Sequence, residues 1–343
     1  MRRRHVQAAS LLAAAVVMAG CGSSSKSNSG SLSNAGGPSS STAPSSSTGG
    51  GTGSAVPGPP LKLSVGVGAA VYTAPLTTPA FTAAGIQLAP RTVTSGAVAV
   101  PLLLNGQLQF SEADAVGALS AIGKGAPIEI VGAVTSGGSS PAADNSNVLV
   151  KPGSSIRSAA DLSGKKVAVN TIGGAAQLSA AAAIDKLGGD SSKAHFVELP
   201  PTAILPAITQ GTVDAGVTSA IDPQAAGLRS VLSPVSTALP GAPLIVWIAT
   251  KPYVAKHRDV VQRFAAATAQ ANTYLSSHPD VVRKVSAQTS QVKLSPAQEA
   301  STILPQFTPA TLTKSGLQEI VNLLLRAKVI NSPVDLSTAA FPQ

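Results

Sequence analysis

Apolar and polar side chains alternate from residue 61 onward. Leu61-Lys-Leu-Ser-Val-Gly-Val67 has the period of two expected of a half-buried strand, and it runs on into Gly68-Ala-Ala-Val-Tyr72. Further short apolar runs predict strands over residues 86–93, 108–110, 128–134, 148–150, 166–170, 195–199, 213–217 and 244–250. Helical spacing predicts helices over 75–84, 97–104, 175–187, 202–209, 259–276 and 315–328. The last two are the clearest: Val260, Phe264, Ala271 and Tyr274 share one face, as do Leu317, Ile320, Val321 and Leu324. Strands alternating with helices predict an α/β architecture with mainly parallel sheets.

A faint internal repeat sharpens this picture. Pro101-Leu-Leu-Leu-Asn-Gly106-Gln-Leu-Gln109 recurs, 105 residues later, as Pro206-Ala-Ile-Thr-Gln-Gly211-Thr-Val-Asp214. Each copy reads as a helix, a glycine stop that accepts positive φ, and a strand starting two residues on. Proline recurring at the same place suggests a shared bend or a first-turn placement. The repeat points to two similar α/β lobes.

Composition narrows the function classes. A chain of 343 residues with 44% hydrophobic positions can bury a large core divided between two units. The net charge of +9 includes Arg2, Arg3 and Arg4 of an N-terminal segment, and the other charges are scattered without a basic block. With only 3% aromatic residues to stack on bases, this argues against nucleic-acid binding. One cysteine allows no internal disulfide and no zinc motif of the CxxC type.

That cysteine closes a leader. Met1-Arg-Arg-Arg4 is a basic start, and residues 8–18 are apolar but too short for a permanent membrane span. Met18-Ala19-Gly20-Cys21 resembles a bacterial lipobox, departing from it only in Met18 where leucine is commoner. Residues 1–20 are therefore expected to be a lipoprotein signal peptide, and Cys21 the lipidated residue that anchors the chain to the membrane. Residues 21–60 are mostly Ser and Gly, with Pro, Thr, Ala and Asn, and are expected to form a disordered linker. Random-coil scaling gives such a linker a reach on the order of 35 Å.

Beyond the linker, a family resemblance emerges. Asp161-Leu-Ser-Gly-Lys-Lys-Val-Ala-Val-Asn170 followed by Gly173-Gly174, then Gly211-Thr-Val-Asp-Ala-Gly216 and Asp222-Pro223, resembles solute-binding proteins of bacterial ABC importers. The likeness is greatest to the sulfonate/nitrate/taurine and thiamine-precursor group. Thr94-Ser95-Gly96 and Asn105-Gly106-Gln107-Leu108 fit the equivalent turns of a first lobe, although Gln109 stands where that group usually has aspartate. The resemblance implies a two-lobed periplasmic-binding-protein fold with a discontinuous first lobe and two crossover strands. The first lobe would hold residues 61–147 and 244–343 and the second 148–243, with hinges near 144–147 and 240–243. It further implies a monomeric, membrane-anchored protein on the extracytoplasmic face. Its partners would be a small-molecule solute, an ABC permease and, through Cys21, the lipid membrane, and it would need no cofactor or metal.

Open α/β sheets bind ligands beyond the carboxyl ends of their strands. The candidate ligand-binding residues there are Tyr72, Thr73, Ser95, Gly96, Ser136, Asn170, Thr171, Gly173, Gly174 and Ser219. They are hydroxyls, amides and glycines, so an anionic group would rest on backbone N–H donors and helix dipoles. Such a site suits a sulfonate, nitrate or other small oxoanion, or a neutral polar head with an apolar tail. Structural roles compete with each assignment. Ser95-Gly96 can cap a helix, Gly173-Gly174 can serve a tight turn, and Tyr72 can be a turn aromatic. Trp247 sits in an apolar run and is expected in the core, and Glu112 and Asp114 fit a helix N-terminus or a contact with a ligand amine.

An enzyme is disfavoured. Gly66-Val-Gly68 begins like a dinucleotide fingerprint, but Val71 replaces the third small residue, and Arg91 and Thr92 stand near the expected acidic position. Beyond the leader only His195, His257 and His278 remain, none in a candidate turn, unlike relatives of the thiamine-precursor branch that are enzymes. A surface lipoprotein binding cell-wall or host components is the other alternative, and it requires no cleft ligand.

Overall fold

The computed structural model describes residues 59–68, 70–93, 96–219, 222–224, 226–289, 296–307 and 312–341. The leader, Cys21, nearly all of the linker, and Thr94 and Ser95 lie outside the described residues.

The chain opens with β1 (Leu61–Val67), a 3-10 helix (Ala70–Thr77), α1 (Ala80–Ala83) and β2 (Ile86–Thr92). There follow α2 (Gly96–Leu104), β3 (Phe110–Asp114), α3 (Ala115–Gly123) and β4 (Ile128–Ser136). After a first crossing it forms β5 (Ser146–Val150), β6 (Lys166–Val169), α4 (Ala175–Lys186) and β7 (His195–Glu198). Next come α5 (Pro201–Gln210), β8 (Ala215–Ser219), β9 (Arg229–Leu232) and α6 (Pro234–Ala238). A second crossing leads back through β10 (Pro243–Thr250) to α7 (Lys251–Lys256), α8 (Arg258–Ser277) and α9 (Pro279–Thr289). The chain then ends with α10 (Pro296–Ser301), α11 (Lys314–Arg326) and α12 (Leu336–Ala339). Among the described residues no helix is long and apolar enough to cross a membrane.

Two five-stranded sheets result, in the orders β2-β1-β3-β10-β4 and β7-β6-β8-β5-β9. In the first, β1 is parallel to β2 and β3, and β10 runs antiparallel to β3 and β4. In the second, β6 is parallel to β7 and β8, and β5 runs antiparallel to β8 and β9. The plan is the same twice over, and in each sheet the antiparallel strand is the one that arrives from the other lobe. This is the two-lobed α/β fold with a discontinuous first lobe.

The internal repeat is structural. Adding 105 to the bounds of β3, which begins at Phe110, gives the start of β8 at Ala215. Gly106 and Gly211 both have positive φ, 71° and 78°, which suits glycine at a helix end. The N–H groups of Gly106 and Gln107 donate to Leu103 and Leu102, and those of Gly211 and Thr212 donate to Ile208 and Ala207. These helix closures use up the residues just after each glycine. Both strands therefore begin four residues after the glycine rather than the two expected from the pattern. Leu108 and Val213 are buried just ahead of the strands and act as anchors. The expected helix over 75–84 is instead the 3-10 helix followed by short α1, because Pro75 and Pro79 interrupt regular α-helical bonding.

Each sheet is covered on both faces. One face of the first packs Val65, Phe110, Trp247 and Phe264, and the other packs Ala113, Leu119, Ile248, Leu317 and Val321. Phe110 stacks on Phe264 at 3.9 Å between centroids, with Trp247 edge-on to Phe264 at 5.1 Å. Trp247 is core, as its apolar run predicts. Burying each such ring stabilises the fold by roughly 2–3 kcal/mol.

Asp144 ties the first crossing to α6. It is fully buried in the first crossing, where its Oδ1 accepts from Ser146 N–H at 2.9 Å. Its Oδ2 accepts from Ser236 N–H at 2.6 Å, inside α6, just before the chain crosses back. Burial pushes its carboxyl up, while these N–H donors pull it down.

Candidate functional site

Because β1–β3 and β6–β8 are parallel, the turns that follow them collect along one edge of each sheet. Leu178 of α4, with Ala175 packed alongside, belongs to the same apolar cluster as Ala113, Ala115 and Val116 of the first lobe. That packing sets α4 against the first lobe, where its contact is with α11.

On the first lobe the centre is Glu112. Its side chain shares a sheet face with Phe110, since strand residues two apart point the same way. It is only 4% exposed. Oε2 accepts from Gly68 N–H at 2.8 Å where β1 ends, and Oε1 has no partner. Burial pushes this carboxyl up to about 7, against the pull of the Gly68 N–H. Tyr72, half-buried in the 3-10 helix, is pushed up to about 12, chiefly by burial and then by the charges of Glu112 and Asp114. Its hydroxyl therefore keeps its proton at neutral pH. Thr73, next to it, is also half-buried.

Asp114 ends β3 and caps α3, its Oδ1 accepting from Gly117 N–H at 2.6 Å. Solvent reaches it, yet protein hems it in, and the lost hydration pushes its carboxyl above the ordinary range. Gly96 opens α2, while Ser95 lies outside the described residues. Ser136 closes β4 in a buried position, with its N–H donating to the Gln306 carbonyl at 3.0 Å.

The second-lobe turn is exposed at Asn170, Thr171, Ile172 and Gly173 and half-buried at Gly174. Its backbone donors are largely occupied. Ile172 N–H donates to Glu198 Oε2 at 2.9 Å, Gly173 N–H to Gln177 Oε1 at 2.5 Å, and Gly174 N–H to the Thr171 carbonyl at 3.3 Å. Three N–H groups of the turn are thus taken, by Glu198, Gln177 and the Thr171 carbonyl, while α4 begins without a side-chain cap. Gly173 has φ of 76°, so the tight turn requires glycine there. Ser219 ends β8 exposed, and the Thr218 hydroxyl beside it is buried without a partner.

Glu198 and Gln177 went unnoticed in the sequence because neither lies in a turn motif. Each reaches the turn from a neighbouring element, β7 or α4. Gly66, read above as the start of an abortive fingerprint, has a packing role: a Cβ there would come within 2.4 Å of Ser111 Oγ. Among the described residues no group of three His, Cys, Asp or Glu side chains converges as a metal site.

Solved structures share this architecture. The periplasmic aliphatic sulphonate binding protein SsuA from Escherichia coli matches with a TM-score of 0.66 at 20% identity, over 82% of this chain and 92% of that one. The alkanesulfonate-binding protein SsuA from Xanthomonas axonopodis pv. citri, solved bound to MOPS, gives 0.63 at 20% identity, over 83% and 99%. The desulfurization enzyme DSZB gives 0.60 at 17% identity, over 82% and 97%. At such identities the likeness establishes the periplasmic-binding-protein fold, which serves binding and catalysis alike. No curated protein is detectably similar in sequence. The model of the NMT1/THI5-like family matches residues 80–281, more than half of the sequence, and the chain belongs to that family.

Proposed function

We propose that the protein is the solute-capturing component of an ABC importer, taking a small polar organic molecule between its lobes and presenting it to a membrane permease. The observation that carries this reading is the duplicated sheet plan with two crossings, which gives each lobe its own group of polar turns at its strand ends. A ligand touching both groups stabilises the closed arrangement by its differential affinity for it. The lobes are residues 61–147 with 244–343 and residues 148–243, hinged near 144–147 and 240–243, and Cys21 holds the protein at the extracytoplasmic face. Binding is favoured over catalysis because the carboxylates at these turns are engaged with backbone N–H groups: Glu112 with Gly68, Asp114 with Gly117, Glu198 with Ile172.

A thermal-shift panel of sulfonates, nitrate, taurine, pyrimidines, amines and small aromatics tests the capture role. At least one compound raises the melting temperature in proportion to the logarithm of its concentration above Kd. A panel without any stabilising member defeats the proposal. Anchoring is tested separately: Cys21→Ala moves the protein from the membrane fraction to the soluble fraction, and unchanged fractionation rules out the lipid anchor.

A further inference from the structure

The charges that do occur in the strand-end turns are all acidic, on an otherwise basic chain. Residues 68–78, 93–100, 112–122, 135–147, 170–178, 198–204 and 218–226 contain Glu112, Asp114, Asp144, Glu198 and Asp222. All 24 Lys and Arg residues, and every histidine, lie elsewhere. Asp144 is committed to the crossings, which leaves two carboxylates at the strand ends of each lobe. Carboxylates without cations beside them in the sequence set up a field that repels anions and attracts cations.

Field alone does not make a site, but Glu112 adds a specific unmet demand. Its Oε1 is buried and has no donor, while Oε2 is fixed by Gly68 N–H. A buried acceptor without a donor is costly, more so when charged, so a ligand donor placed there recovers that cost. Tyr72 stands close enough to feel the Glu112 charge, and its ring packs on the same apolar cluster as Phe110. On the opposite lobe the N–H groups of Ile172 and Gly173 are taken by Glu198 and Gln177. Ile172, half exposed beside them, offers apolar surface instead.

We infer that the solute carries a nitrogen group rich in N–H donors, an amine or amidine, which docks on Glu112 beside Tyr72. This deepens the importer reading and rests on it. A free oxoanion is not the determinant of recognition on this chain. Glu112 accepts from the cationic nitrogen, Asp114 and Glu198 supply the surrounding negative potential, and the apolar remainder of the solute lies against Tyr72 and Ile172.

The test uses the full chain with matched probes at pH 8: benzamidine and benzylamine against benzenesulfonate and benzoate, with the two-carbon counterparts of each. The nitrogen probes raise the melting temperature and the oxoanions do not. In isothermal titration Glu112→Gln weakens the nitrogen probes about tenfold to a hundredfold, as expected for a lost charge-assisted bond. Asp114→Asn, which keeps a capping side chain, weakens them by a smaller factor. Circular dichroism verifies that both variants are folded. Stabilisation by the oxoanions alone, or nitrogen-probe affinity unmoved in Glu112→Gln, overturns the inference while leaving solute capture standing. Failure of both probe classes overturns the inference, and the wider panel of solutes then decides whether capture itself stands.

Discussion

Gln109 and Asp214 do the same work in the two sheets. Gln109 Oε1 accepts the N–H of Ser64 at 2.8 Å, and Asp214 Oδ2 accepts that of Lys166 at 2.8 Å. The next residues, Val65 and Val167, register against Phe110 and Ala215, the first residues of β3 and β8. Each side chain thus clamps the point where a central strand starts to pair. Gln109→Ala also loses the bond from Nε2 to the Gly106 carbonyl. We expect Gln109→Ala and Asp214→Ala each to cost about 1–2 kcal/mol, with Asp214→Asn milder because an acceptor remains. Urea unfolding midpoints measure this, and midpoints unmoved by both alanine variants would show that the clamps carry no stability.

The same pair shows how far the sequence could be read. Glutamine at an expected aspartate position looks like a departure that shifts the register. Three-dimensionally it is a conservative exchange, since only a side-chain oxygen at a fixed place is needed. The repeat, the α/β class and the core position of Trp247 are all legible because they depend on local periodicity and on glycine and proline placement. The electrostatic character of the turns is legible only in part: the sequence offers Glu112 and Asp114 for a helix N-terminus or a ligand amine, but nothing in it singles out Glu198. Glu112 lies two residues inside a strand and Glu198 ends an edge strand, so their bearing on the turns depends on which strands are neighbours. The two-residue delay of β3 and β8 was hidden for a related reason: Leu108 and Val213 have the hydropathy of strand residues but spend their backbones closing a helix.

Asp144 makes a second prediction. Removing its carboxylate leaves the N–H groups of Ser146 and Ser236 without acceptors at a buried place. Asp144→Ala is expected to cost about 2–4 kcal/mol, two unmet donors at the usual penalty each. Because one of the lost bonds ties the first crossing to α6, the helix just before the second, the variant's radius of gyration by small-angle scattering also rises in the absence of ligand. A variant as stable and as compact as the parent would deny Asp144 this fastening role.

Gly66 is a test of close packing within β1. A Cβ added there meets Ser111 Oγ at 2.4 Å and Leu108 Cδ1 at 3.0 Å. Gly66→Ala is expected to destabilise by about 1–3 kcal/mol, the usual range for overpacking. Ser111→Ala removes the nearer atom and its bond to the Glu112 carbonyl, a small loss by itself. The double variant should recover part of the damage, a coupling of about 1 kcal/mol in a double-mutant cycle. Strict additivity of the two changes would place the strain elsewhere.

Glu112 makes the protein's stability depend on pH. Its folded pKa of about 7 lies above the ordinary carboxylate value because burial penalises the charge more than the Gly68 N–H offsets it. Between the ordinary value and about 7 the folded chain holds a proton that the unfolded chain has released, so folding gains stability at acid pH. That contribution is complete below the unfolded pKa and is lost as pH rises through about 7. The full span is on the order of 3 kcal/mol. Glu112→Gln keeps the shape and the acceptor for Gly68 N–H but has no charge to bury. The variant should therefore be more stable than the parent at pH 8, and the two should converge near pH 5. Urea titrations at both pH values decide the matter. A constant difference between parent and variant across that range would mean that Glu112 stays charged in the fold and that its burial carries no penalty.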